Sequence, residues 1–144
     1  MKRVEAFAPL SRDHHGTLIL AQLLKRNAPV FRGLPVNTLG KVAYAQQQFE
    51  THIKKHFQQE ETILEMVKGC KEKIEVIAEE IKNEHQHLSL LFDSLNAARD
   101  IEQAMNTLAV KLEDHIRKEE RILFPLLQQY CSEELLQEIH MLLH

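Results

Sequence analysis

One pattern, His-x-x-x-Glu-Glu-x-Ile-Leu, occurs twice in this chain, at His56–Leu64 and again at His115–Leu123. The copies stand 59 residues apart, each inside a stretch whose apolar residues recur at a helical period. A weaker echo links Asp13-His14 with Glu84-His85. The chain therefore reads as two helical hairpins, each supplying one histidine and then one HxxxE. Only 4 Gly and 4 Pro occur, too few for the turns of a sandwich or barrel. A length of 144 residues with 44% hydrophobic content suits a single domain with a full core, taken here as 1–144.

The spacing predicts a first helix from about Ser11 to Asn27, capped by Ser11 or Asp13 and stopped by Pro29. A second spans about 38–67, with Val42, Ala45, Phe49, Ile53, Ile63, Leu64 and Val67 on its apolar stripe and Gly69 as its stop. The third, about 71–96, carries Ile74, Ile77, Ile81, Leu88, Phe92 and Leu95. The fourth begins near Asp100 with Ile101, Met105, Leu108, Leu112, Ile122 and Leu126, and Pro125 should kink or break it. A short fifth helix, about 132–143, follows Ser132 as its cap. The expected fold is all-α: an up-down-up-down antiparallel four-helix bundle over about 11–130, with a short C-terminal helix.

At 100° per residue, His56 and Glu60 fall on the apolar stripe of helix two, and His115 and Glu119 on that of helix four. His85 continues the stripe of helix three, whereas His87 points about 160° away. On helix one, His14 shares a face with Leu18, Ala21 and Leu24 and is preferred to its neighbour His15. His15, His52, His87, His140 and His144 are left outside the site, with His52 near enough to its edge to serve as a hydrogen-bond partner. Glu61 and Glu120 fall off the stripe and read as surface carboxylates. A buried carboxylate costs several kcal/mol unless a cation compensates it. Imidazole nitrogens and carboxylate oxygens, paired at i and i+4 on one helix face, are natural ligands for first-row divalent metals.

These segments resemble the hemerythrin-like, or HHE cation-binding, family. The resemblance rests on SRDHH at 11–15, HFQQEETIL at 56–64, NEHQHL at 83–88 and HIRKEERILFPLL at 115–127. It implies a four-helix bundle around a non-haem centre of two iron ions. The implied ligands are His14, His56, Glu60, His85, His115 and Glu119, with the two glutamates bridging. His14 and His56 would hold one iron, and His85 and His115 the other. Dioxygen carriers of this family have a histidine four residues after the third-helix ligand, where this chain has Ser89. They also have an aspartate five after the last-helix histidine, where this chain has Glu120. One nitrogen ligand fewer leaves an extra open position on an iron, which favours reactivity or weaker retention of O2. The resemblance implies binding of O2 or a related small ligand in sensing or storage. Its alternatives are a di-iron enzyme acting on peroxide or NO, and an iron-handling or iron–sulfur repair protein.

The remaining features bound the setting. A balance of 18 Lys+Arg against 21 Asp+Glu, formally -3, offers no footprint for nucleic acid. No apolar run approaches the ~20 residues of a bilayer span. The N-terminus has no continuous apolar segment, so a cytoplasmic protein is expected. Cys70 and Cys131 form no CxxC pattern; they fit a reducing compartment and carry no metal or redox signature in sequence. The apolar C-terminal helix (Leu135, Leu136, Ile139, Leu142, Leu143) either packs on the bundle or pairs two copies, so monomer and homodimer both stay open.

Overall fold

The computed structural model describes residues 4–144; the first three residues of the expected domain lie outside it. Among the described residues the chain is helical and contains no strand. After a single 3-10 turn at Glu5–Phe7, α1 runs over Ala8–Leu24. α2, residues 38–66, joins Thr38–Gln48 to Lys54–Met66 through a π-helical turn at Phe49–Ile53. α3 is Glu72–Asp93. α4, residues 101–130, joins Ile101–Lys118 to Phe124–Tyr130 through a second π-helical turn at Glu119–Leu123. α5, Glu133–Leu143, closes the chain. α1 packs along α4, and α2 and α3 complete the bundle.

Several local signals behave as their chemistry predicts. Asn37, Asp100 and Ser132 cap α2, α4 and α5, each accepting a hydrogen bond from a backbone N–H in the first turn. Gly69 sits after α2 at φ 85°, a region that an L side chain rarely adopts. Others differ. α1 begins at Ala8, with Pro9 in its first turn where a missing N–H costs nothing, so Ser11 and Asp13 are interior to the helix and not its caps. It ends at Leu24, where Lys25 turns extended, before Pro29 is reached. Pro125 does not break α4. The π-turn ahead of it bonds Phe124 N–H to Glu119 O, and the ring falls in the first turn of the segment that follows.

That π-turn also corrects the reading of the helix-four stripe. One extra residue in the turn rotates everything beyond it by about 100°. Ile122, expected inside, is 44% exposed, while Leu123, Phe124 and Leu127 are buried. Leu126 is only half-buried, as is Ile77 on α3.

Along each of the four long helices, apolar residues give way to polar ones for about one turn and then resume. One apolar cluster contains Leu24, Val42, Phe49, Phe92, Leu108 and Leu112. The other contains Phe7, Leu10, Leu64, Ile74, Ile81, Phe124 and Leu127. α5 packs at the second end, burying Ile139 completely and leaving Met141 and Leu142 exposed. No helix among the described residues is long and apolar enough to cross a membrane.

Candidate metal centre

The polar layer between the two apolar clusters holds His14, His56, Glu60, His85, His115 and Glu119, every one of them buried. Those are the six residues singled out from the sequence. His15, His52 and His87 are exposed. His140 stacks on His144 at the chain end, 3.9 Å between ring centroids. All four buried imidazoles turn Nε2 inward. His14 Nε2 lies 2.9 Å from Glu119 Oε1, and His56 Nε2 lies 3.1 Å from Glu60 Oε2. His85 Nε2 is 3.0 Å from Glu60 Oε1, and His115 Nε2 is 3.4 Å from Glu119 Oε1. Two sets of four residues that could hold a metal ion result, His14/His56/Glu60/Glu119 and Glu60/His85/His115/Glu119. Within each set the ligand atoms lie within 4.8 Å of one another, and both sets contain the same two glutamates.

The outer nitrogens are held just as systematically. His56 Nδ1 donates to Asp13 at 3.0 Å and His85 Nδ1 to Glu61 at 2.9 Å. His115 Nδ1 donates to Glu84 and His14 Nδ1 to Glu120, both at 2.7 Å. The pattern is cyclic: an acid on α1 aims the histidine of α2, α2 that of α3, α3 that of α4, and α4 that of α1. A carboxylate on Nδ1 fixes the tautomer and leaves the Nε2 lone pair free to face a cation. Ser11 adds a hydroxyl bond to Glu120 at 2.9 Å, and Lys118 bridges Glu84 and Glu80. The sequence pattern places Glu61 and Glu120 at the surface and offers Asp13 as a cap; Glu61 is exposed as expected and Glu120 half-buried, yet all three hydrogen-bond the outer nitrogen of an inward histidine. The available signal was the second Glu of each HxxxEE and the acid preceding His14 and His85. Ring stacking restrains the imidazoles further, Phe57 on His85 at 4.0 Å and Phe124 on His14 at 5.8 Å.

The electrostatics ask for positive charge. Burial disfavours the imidazolium of His14, yet hydrogen bonds to Glu119 and Glu120 and the nearby Glu60 carboxylate outweigh it and push its pKa up to about 12. Burial likewise opposes the charge on His56, but Glu60 and Asp13 raise it to about 9. Burial and the neighbouring Glu60 lift Glu119 to about 7, while Glu60 is held well below the usual carboxylate range despite its burial, chiefly by His56. Left to themselves, these groups gather protons onto the histidines to balance the glutamates. Even so, Glu60 Oε2, Glu119 Oε2 and His115 Nε2 are buried with no hydrogen-bond partner among the described residues. Orphaned acceptors of this kind fit a cation: it would satisfy all three, and the nitrogen and oxygen donors suit a first-row divalent metal.

Cavities on the α1–α2 side adjoin the layer. A small one of about 10 Å³ touches His14, His56, His115 and Glu119 and is walled by Thr17, Ile53, Phe57, Leu112 and Ile116. An open cleft of about 640 Å³ between α1 and α2 shares Thr17, Ile53 and His56 with it and includes Arg12, Gly16, His52 and Lys55. Among the described residues, the only charged or titratable wall of the inner cavity is His14, His56, His115 and Glu119.

A family model described as the hemerythrin HHE cation binding domain matches residues 6–127, from the turn before α1 to the last segment of α4. No curated protein and no solved structure matches the chain.

Proposed function

The chain belongs to the hemerythrin HHE cation-binding family, and from that premise we propose that it is a non-haem di-iron protein that binds O2 or a related small ligand for sensing or storage in the cytoplasm. In this reading His14 and His56 hold one iron, His85 and His115 hold the other, and Glu60 and Glu119 serve both. The observation that carries it is the pair of four-ligand sets sharing the same two glutamates. When bound, ferrous iron supplies open coordination positions and electrons to a diatomic ligand.

The chain's own residues do the rest. Asp13, Glu61, Glu84 and Glu120 keep the four Nε2 atoms aimed inward. Ile53, Phe57, Leu112 and Ile116 exclude bulk water from the cavity beside them. Its volume, about 10 Å³, is near the ~10–15 Å³ that one water requires. That size disfavours a bulky substrate.

Elemental analysis of protein grown with iron, paired with its near-ultraviolet and visible spectrum under alternating anaerobic and aerobic conditions, tests the reading. About two irons per chain, with a spectrum that changes with O2 and returns when O2 is withdrawn, is the expected result. Iron-free but fully helical protein overturns it. Decomposition of hydrogen peroxide faster than free iron achieves moves the function to a di-iron enzyme.

A further inference from the structure

Cys70 and Cys131 lie 61 positions apart in sequence, and sequence spacing gives them no shared role. The fold brings them together. Cys70 lies in the turn after α2, half-buried beside Gly69, and Cys131 is buried at the junction of α4 and α5. Cys131 belongs to the buried apolar cluster at this end of the bundle, and Cys70 packs against the same cluster. Their sequence neighbours meet as well: Lys71 Nζ sits 4.9 Å above the centre of the Tyr130 ring. Two segments from opposite halves of the chain are thus held side by side, with a thiol on each.

We propose that Cys70 and Cys131 form an oxidisable dithiol, with hydrogen peroxide as the oxidant, whose disulfide ties the turn after α2 to the α4–α5 junction. This site lies outside the polar layer and does not depend on what the histidines hold. Exposure orders the two steps. Cys70, reachable from solvent, attacks one peroxide oxygen as thiolate; the O–O bond breaks, leaving a sulfenic acid on Cys70 and releasing hydroxide, which takes up the displaced proton as water. Cys131 Sγ then attacks Cys70 Sγ, the S–O bond breaks, and the departing hydroxide leaves as a second water with the Cys131 proton. In total two thiols and one peroxide give one disulfide and two waters. Burial and the adjacent Cys70 push the Cys131 thiol up to about 12, so Cys131 is not the thiol that meets peroxide first.

The reduced full chain is treated with one equivalent of hydrogen peroxide, quenched with catalase, alkylated and digested without reductant. The expected product is a peptide joining Cys70 to Cys131 within one chain, about 2 Da lighter than the reduced pair and restored by dithiothreitol. In Cys131→Ser the expected product is a sulfenic acid on Cys70, trapped as its dimedone adduct, with no cross-link. In Cys70→Ser, Cys131 stays reduced under the same dose. Three results overturn the proposal: added oxygen on Cys70 beside a reduced Cys131 in the native sequence, disulfides between chains only, or both thiols unmodified.

Discussion

His85 and His87 are two residues apart on α3, and only one of them belongs to the polar layer. His85→Ala removes an Nε2 from one of the two ligand sets and is expected to lower metal content, whereas His87→Ala, on an exposed site, retains it. Metal analysis of the two purified variants decides; equal loss in both would mean that the layer is not the binding site. The outward acids act one step removed. Glu61→Gln keeps the volume and a hydrogen-bond acceptor but not the charge that holds His85 Nδ1. It is expected to weaken metal binding by about 10–100-fold while leaving the fold intact, measured by competition with a chelator of known affinity. Unchanged affinity would assign the Glu61–His85 contact to packing alone. These acids were hidden from the sequence for a geometric reason. A wheel sorts residues by whether they face the bundle axis, and Glu61 lies about 100° from Glu60. That angle takes it off the apolar stripe yet leaves it able to reach the outer nitrogen of a ring on the next helix.

At the scale of elements, the two copies of the repeated motif are not structural equivalents. In α2 the π-turn precedes His56, and in α4 it begins at Glu119, within the motif itself. Ile63 and Leu64 are consequently both buried, while of their counterparts only Leu123 is buried and Ile122 faces solvent. Leu123→Ala should cost about 2–5 kcal/mol, as large-to-small changes in a packed core do. Ile122→Ala should cost within about 1 kcal/mol. Denaturant unfolding of the pair measures the register directly, and a reversed order would put the π-turn elsewhere. The four long helices, the short fifth and the six inward residues were legible because amphipathic periodicity survives over many turns. Local boundaries were not. Pro9 opened α1 earlier than Ser11 suggested, and Pro125 was absorbed where an ideal helix would have kinked. A uniform 100° step cannot register a single inserted residue, so the stripe departs from it beyond Glu119, while Met105, Leu108 and Leu112 ahead of the turn are buried as the period predicts.

For the whole molecule, metal and protons compete for the same nitrogens. In the metal-free chain His14, His56 and Glu119 all bind protons more tightly folded than unfolded. Raised folded-state pKa values contribute stability that is present at low pH and lost as pH rises through them. For His56 that window runs from the ordinary 6.5 to about 9. Glu60, held low, acts oppositely and only on the acid side of its ordinary 4.5. With metal bound the ligands must be deprotonated, so the metal's stabilisation grows as pH rises and fails on acidification. Thermal unfolding between pH ~6 and ~9 should therefore slope downward with chelator present, and addition of ferrous iron should raise Tm most at the alkaline end. Parallel curves would show that the layer does not exchange protons for metal. The cyclic order of the orienting acids has a further consequence, for synthesis. The hairpin of α1 and α2 alone carries the acid for His56 but not the one for His14, which is on α4. The other hairpin carries the acid for His115 but not the one for His85. Neither half can present a finished ligand set, so a chain still emerging from the ribosome has no strong site for whichever ion is abundant nearby, and acquires one only when the last long helix closes the circle.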